Sequence, residues 1–106
     1  MRTVDILFMD GCPGLEETRA MVEVALAESG AALPVRVIRV ESDEQARELQ
    51  FLGSPTVRVR GRDIEAFRHT DRRFGFGCRI YRNLDGSWSH APTKEMFLQA
   101  LDRYAK

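Results

Sequence analysis

An apolar strand pattern that passes through a Gly-Cys-Pro turn into a helix pattern is the feature that most constrains this chain. Thr3–Met9 is rich in β-branched and apolar residues, as expected of a buried central strand. Gly11-Cys12-Pro13 interrupts it, and from Leu15 apolar or small side chains recur at helical spacing until Ser29-Gly30. A strand followed at once by a helix predicts an α/β arrangement.

The rest of the chain continues this alternation. The patterns predict, in chain order, a strand over Val35–Val40, a helix from Ser42 to about Leu52, strands over Thr56–Arg60 and Asp63–Phe67, a loop over 68–78, strands at Arg79–Arg82 and near Trp88, and a helix from Pro92-Thr93. The short turn at Gly61 favours an antiparallel hairpin. We therefore expect one domain over residues 1–106. Its expected fold is α/β, with a mixed four-stranded sheet flanked by helices, to which a C-terminal hairpin can be added.

Composition and charge exclude several function classes. Hydrophobic residues make up 43% of the chain and the formal net charge is zero, which is typical of an ordinary globular protein. Residues 58–82 hold eight Arg against three acidic residues, but nucleic-acid modules also carry net positive charge and stacking motifs, so no nucleic-acid partner is predicted.

The sequence also predicts a cytoplasmic protein without a membrane partner. No basic start is followed by a long apolar run, and no stretch approaches the roughly 20 apolar residues of a membrane span. In that compartment Cys12 and Cys78, the two cysteines, are not expected to form a permanent structural disulfide.

Cys12 is the first candidate for chemistry. The strand-to-helix turn places its sulfur near a helix N-terminus, where unpaired backbone N–H groups lower the pKa of a thiol and favour the nucleophilic thiolate. Glu16 and Glu17 in the first turn oppose this effect, so modest activation is expected. The alternative is a small buried cysteine that only closes the turn.

A second motif, Gly53-Ser54-Pro55-Thr56, lies directly before a predicted strand. An X–Pro bond adopts the cis form at little cost, so Pro55 is a candidate cis-proline, with an ordinary trans loop proline as the alternative.

Together the two motifs resemble the thioredoxin and glutaredoxin superfamily. Gly11-Cys12-Pro13 matches the start of the glutaredoxin-type Cys-Pro-x-Cys motif, and Ser54-Pro55-Thr56 matches the loop that holds the cis-proline. The resemblance implies that Pro55 is cis, that the Ser54 backbone lies beside Cys12, and that substrate pairs there as an added strand. It implies five substrate-binding residues: Gly11, Pro13, Ser54, Pro55 and Thr56.

More narrowly, the segments DGCP, FLGSPTVRV and GFGCRIYR are similar to the bacterial thioredoxin-like "DF family (seleno)proteins". Some members of that group carry selenocysteine at the position of Cys12, and some are labelled alkylmercury lyases. The resemblance spans nearly the whole chain and points to thiol redox chemistry.

The chain departs from dithiol oxidoreductases at Leu15, which stands where the second cysteine of the motif would be. Two options remain. Cys12 works with an external thiol such as glutathione, a possible co-substrate, or Cys78 is the resolving partner. Gly75 and Gly77 would let the predicted loop approach Cys12 closely. The alternative for Cys78 is a buried core thiol.

The expected function is thiol–disulfide exchange by Cys12 and Cys78, with a protein or small-molecule thiol or disulfide as partner. Two nearby thiols also bind soft metal ions or organomercurials, and a non-catalytic binding module is a further alternative. His69 and His90 complete no common zinc spacing with the cysteines, so no resident metal or cofactor is predicted. Five arginines either line the approach to Cys12 or face water elsewhere: Arg58, Arg60, Arg72, Arg73 and Arg79.

Overall fold

The computed structural model describes residues 2–65, 71–83 and 85–105. The alternation of strands and helices predicted from the sequence is confirmed. In chain order the elements are β1 Val4–Phe8, α1 Leu15–Ser29, β2 Val35–Arg39, α2 Asp43–Glu48, β3 Thr56–Val59, β4 Arg62–Asp63, β5 Tyr81–Arg82, β6 Trp88–Ser89 and α3 Lys94–Tyr104.

The main sheet is mixed and four-stranded, as predicted. Its order is β2-β1-β3-β4. β1 runs parallel to β2 and antiparallel to β3, with Ile6 opposite both Val37 and Val57. β4 returns antiparallel to β3. Strands β5 and β6 form a separate antiparallel pair, which is the expected C-terminal hairpin.

The central strand β1 divides the core into two layers. Val4 and Ile6 pack in one buried cluster with residues of α1 and α3, while Leu7 packs in a second cluster with Ala46 of α2 and Phe51. This division follows from the alternation of side chains along a strand. None of the helices in the described part of the chain combines the length and apolarity needed to cross a lipid bilayer.

Helix α2 is shorter than its sequence pattern predicts. It ends at Glu48 instead of reaching Leu52. Gln50 then adopts a left-handed conformation with φ of 55°, and Phe51 is fully buried. Turning the chain at Gln50 places the Phe51 ring in the core, which outweighs continued helix formation.

Strand β4 also differs from its prediction. It covers Arg62–Asp63, so it begins one residue earlier than expected and does not extend through residues 64 and 65. The Asp63 carboxylate accepts the Glu65 N–H at 2.8 Å. This local side-chain hydrogen bond turns the chain and competes with strand pairing. The remainder of the predicted strand, residues 66 and 67, lies outside the described residues.

Candidate functional site

Cys12 and Cys78 are joined by a disulfide, with an S–S distance of 2.13 Å and a Cα–Cα distance of 5.5 Å across 66 residues of sequence. The option in which the chain brings Cys78 to Cys12 is therefore the one that the structure shows. Cys12 is partly buried in the turn between β1 and α1, whereas Cys78 is exposed.

Gly14 sets the start of α1, and with it the position of Cys12. Gly14 is the N-cap, with φ of 101°, and the His90 carbonyl oxygen lies only 2.5 Å from where a Cβ would stand. Cys12 and Pro13 therefore precede the cap. Cys12 lies near the positive end of α1 without being part of the helix.

Ser54 holds the Cys78 segment by two backbone hydrogen bonds. The Ser54 N–H donates to the Gly77 carbonyl at 2.8 Å, and the Arg79 N–H donates to the Ser54 carbonyl at 2.9 Å. The pairing is an isolated parallel bridge between Ser54 and Cys78. In this disulfide-bonded state, the backbone groups that the resemblance assigns to substrate are thus paired with the chain itself.

The Ser54 loop is tied in turn to the end of β1. The Ser54 hydroxyl oxygen accepts the Met9 N–H at 3.0 Å, just after the strand that leads to Cys12. The Ser54–Pro55 peptide bond is cis, as the resemblance implies. Ser54 thus connects the chain on the Cys12 side with the segment that carries Cys78.

Arg79, the residue after Cys78, is anchored in the interior. Its side chain is 1% exposed, and it donates to both Asp63 carboxylate oxygens at 2.7 and 2.9 Å and to Glu65 at 2.8 Å. Burial alone would lower the pKa of Arg79, but the hydrogen bonds and negative charges of the Asp63 and Glu65 carboxylates raise it above its ordinary value. The guanidinium therefore stays charged and holds its position.

Tyr81 adds a third anchor. Its hydroxyl donates to the Pro55 carbonyl at 2.6 Å, and its ring lies 4.4 Å from the Arg79 guanidinium carbon. Complete burial raises the pKa of Tyr81, which keeps the hydroxyl protonated and able to donate. The chain after Cys78 is therefore fixed by contacts that do not involve either sulfur.

The arginines expected near Cys12 serve mainly other contacts. Arg79 neither lines the approach to Cys12 nor faces water, because its guanidinium pairs with Asp63 and Glu65 in the interior. Arg58 donates to the carbonyls of Leu49 and Gln50 at 2.8 and 2.9 Å, which supports the end of α2. Other arginine contacts are those of Arg60 with the Tyr104 carbonyl and of Arg73 with Asp71.

Sequence reasoning missed the Asp63–Glu65–Arg79 cluster. The only available signal was that Asp63 and Glu65 interrupt an arginine-rich stretch, and nothing in that pattern indicates burial. Over residues 2–65, 71–83 and 85–105, no group of three or more His, Cys, Asp or Glu side chains is arranged to hold a metal ion. His69 lies outside these residues.

Comparison with known protein families, with curated proteins and with solved structures finds no match for this chain.

Proposed function

We propose that this protein is a thioredoxin-like thiol–disulfide exchange protein in which Cys12 and Cys78 cycle between dithiol and disulfide. The observation that carries the proposal is the meeting of the two cysteines across 66 residues, with Cys78 exposed. The strand order β2-β1-β3-β4 and the cis-proline loop beside the thiol pair are consistent with the superfamily that the motifs resemble.

In the proposed reaction the reduced protein transfers two electrons to a substrate disulfide. The Cys12 thiolate attacks one substrate sulfur, the substrate S–S bond breaks, and the other sulfur leaves as a thiolate that takes a proton from water. The Cys78 thiolate then attacks the Cys12 sulfur in this mixed disulfide. The second substrate thiol is released, and the protein is left with the Cys12–Cys78 disulfide.

The anchors around Cys78 favour resolution within the chain. Ser54, Arg79 and Tyr81 hold the Cys78 segment through contacts that do not involve the sulfurs. A thiol held in place has a high effective concentration toward its partner. A thiol such as glutathione is then needed only to reduce the finished disulfide. Gly11 and Pro13, both exposed beside Cys12, are placed to contact the substrate.

A chromogenic aromatic disulfide tests this proposal. Reduced wild type is expected to release two equivalents of aromatic thiol, with a first step on the order of ten-fold faster than free cysteine at neutral pH because the thiolate is favoured near α1. Cys78→Ser should release one equivalent and retain a mixed disulfide on Cys12. Cys12→Ser should lose the fast step. Equal fast rates in Cys12→Ser and wild type would disprove the role of Cys12 as nucleophile.

The held pair also supports a second candidate function, capture of a thiophilic metal ion by two thiolates. The two Cα atoms lie 5.5 Å apart, and the anchors of the Cys78 segment do not involve the sulfurs, so we expect the reduced site to stay assembled. Reduced wild type should then take up one Hg(II) per chain in the presence of a competing monothiol. The double variant Cys12→Ser with Cys78→Ser should take up none, and equal uptake by both proteins would exclude this function.

A further inference from the structure

The side chains around Cys78 alternate between the interior and solvent. Arg79 and Tyr81 are buried, whereas Phe76 and Ile80 are each 45% exposed. Successive side chains of an extended chain point to opposite faces. The chain bends at residues 76 and 77, so this rule applies from Cys78 onward. Ile80 therefore shares the outward face of Cys78, and Phe76 is exposed at the bend that precedes it.

The hairpin extends this apolar surface. Trp88 of β6 lies opposite Arg82 of β5, and directly opposed residues of an antiparallel pair share a face. Trp88 is 59% exposed, and the Arg82 guanidinium carbon lies 5.9 Å from its ring centroid. In the described part of the chain, six large apolar side chains are exposed, and three of them belong to the Cys78 segment and the hairpin that follows it: Phe76, Ile80 and Trp88. Exposed apolar side chains grouped in this way are typical of an interaction surface.

The backbone of Cys78 presents a second, independent feature. Gly77 and Arg79 direct their bonding groups toward Ser54. N–H and C=O groups alternate in direction along an extended chain, so those of Cys78 point the opposite way. Within the described residues, no backbone group bonds to them. A main-chain donor and acceptor at an exposed cysteine residue can pair with an added strand.

We propose that this outward edge, formed by Phe76, Cys78, Ile80 and Trp88, docks an extended cysteine-containing segment of the protein dithiol that reduces this protein. The inference rests on the proposed function and names its electron donor by class. A thiolate can attack the Cys78 sulfur only while that sulfur is part of the disulfide, so a cysteine docked beside Cys78 belongs to a reductant. The segment carries an apolar residue two positions before and two positions after its cysteine, where side chains share the face of the cysteine, and a carboxylate two positions further on for Arg82.

Glutathione fits this edge less well, because its two carboxylates would meet the apolar side chains of Phe76 and Ile80. The site also differs from the one implied by the family resemblance. Ser54 is already paired with Gly77 and Arg79, so the incoming strand adds to the other edge of the Cys78 segment.

The reduction step is balanced as follows. The donor thiolate attacks the Sγ of Cys78, the more exposed cysteine. The Cys12–Cys78 bond breaks, and Cys12 leaves as a thiolate that takes a proton from water. The second donor thiol then attacks the donor's sulfur in the mixed disulfide and releases Cys78. The donor becomes a disulfide, and two electrons have passed to this protein.

Capped single-cysteine peptides test the docking edge on the oxidised protein. A Leu-Ser-Cys-Ser-Val-Ser-Glu peptide should open the disulfide at least ten-fold faster than a Ser-Ser-Cys-Ser-Ser-Ser-Glu peptide of equal charge and faster than glutathione. The advantage should fall below three-fold in Phe76→Ser with Ile80→Ser. It should persist in Val24→Ser, which changes an exposed apolar residue on α1. Dithiothreitol should reduce all three proteins at one rate, and thermal unfolding checks that each is folded.

An unreactive peptide, Leu-Ser-Ser-Ser-Val-Ser-Glu, separates docking from redox chemistry. It should shift the amide NMR signals of Cys78 and Ile80 in the oxidised wild type, but not in the double serine variant. If exchange proceeds but the peptides react equally and these amides do not shift, docking is overturned and the proposed function stands. If the amides shift although wild type fails the chromogenic assay, the docking edge is supported and the proposed function fails.

Discussion

At the scale of single residues, Arg79 shows how a buried ionic group can fix the position of the residue beside it in the chain, Cys78. Its guanidinium shares one buried site with the carboxylates of Asp63 and Glu65. Moving an unpaired ion into the interior costs several kcal/mol, so the three side chains must stay together. Because Arg79 follows Cys78 directly, that requirement also fixes the sulfur.

Replacing Arg79 by Met should destabilise the protein by about 3–5 kcal/mol, because two carboxylates are left buried without their cation. Urea unfolding monitored by circular dichroism measures this. Lys94→Met is the control, since the Lys94–Glu28 pair lies at the surface, with side chains 39% and 52% exposed, and its loss should cost about 1 kcal/mol or less. An Arg79→Met cost as small as that of the control would show that the buried cluster contributes little.

Asp5 should make stability fall with acidity. Burial acts to raise the pKa of this carboxyl group, but hydrogen bonds from Arg36 and Thr3 outweigh it and leave the pKa below its ordinary value. A lowered pKa in the folded state gives stability that is present above the unfolded value of about 3.9 and is lost as pH falls through the folded value. Unfolding free energies of wild type and Asp5→Asn between pH 6 and pH 3 should therefore converge toward the acid end, and parallel curves would contradict this.

At the scale of elements, the Cys78 segment behaves as a short strand that is secured before and after the cysteine. The Gly75 N–H donates to the Phe51 carbonyl at 3.1 Å, and the Arg79 N–H donates to Ser54. The Phe76 N–H donates to the Asp43 carboxylate at 3.2 Å. The segment is thus tied to both α2 and the Ser54 loop, without help from the disulfide.

Reduction should therefore leave this segment in place. In amide hydrogen exchange measured by NMR, the Arg79 amide should stay protected after the disulfide is reduced, because its bond to Ser54 does not depend on the sulfurs. The Gly86 amide, which bonds only within the hairpin turn to Asn83, serves as an internal reference for local opening. Complete loss of Arg79 protection on reduction, with Gly86 unchanged, would show that the disulfide alone holds the segment.

Most elements could be predicted from local patterns. α1 and α3 present apolar or small side chains at helical spacing, and their burial follows that spacing. β1 is a continuous, mostly apolar run and is buried from Val4 to Leu7. The ends of α2 and β4 could not be predicted, because they depend on the burial of Phe51 and on the Asp63 side chain. Local periodicity carries no information about such side-chain contacts.

The candidate site was predictable to a similar extent. The motifs identified Cys12 and the cis-proline, since both are marked by short characteristic segments. The partnership with Cys78 stayed one of two options, because it depends on backbone pairing between Ser54 and a segment more than twenty residues later. The burial of Arg79 followed from that same pairing and had no local signal.

At the scale of the whole molecule, the disulfide joins the end of the first strand to the last third of the chain across 66 residues. A cross-link of this span lowers the entropy of the unfolded chain, by about 4 kcal/mol at 25 °C in the loop-closure description. The folded state already holds both cysteines by other contacts, so most of the effect should fall on the unfolded state.

The double variant Cys12→Ser with Cys78→Ser should accordingly fold, with an unfolding free energy lower than that of the oxidised wild type by about 4 kcal/mol. Its stability should match that of the reduced wild type to within about 1 kcal/mol. Guanidinium unfolding of the three forms at neutral pH provides the comparison. A double variant as stable as the oxidised protein would rule out a stabilising role for the cross-link.

The alternation of buried and exposed side chains around Cys78 separates two properties of the protein. Arg79 and Tyr81 face inward and secure the sulfur, whereas Phe76 and Ile80 face outward. Partner preference can therefore change by substitution at the outward positions while the supports of the thiol pair remain intact. Proteins built on this plan can diverge in the partners they accept without having to rebuild the chemistry that they share.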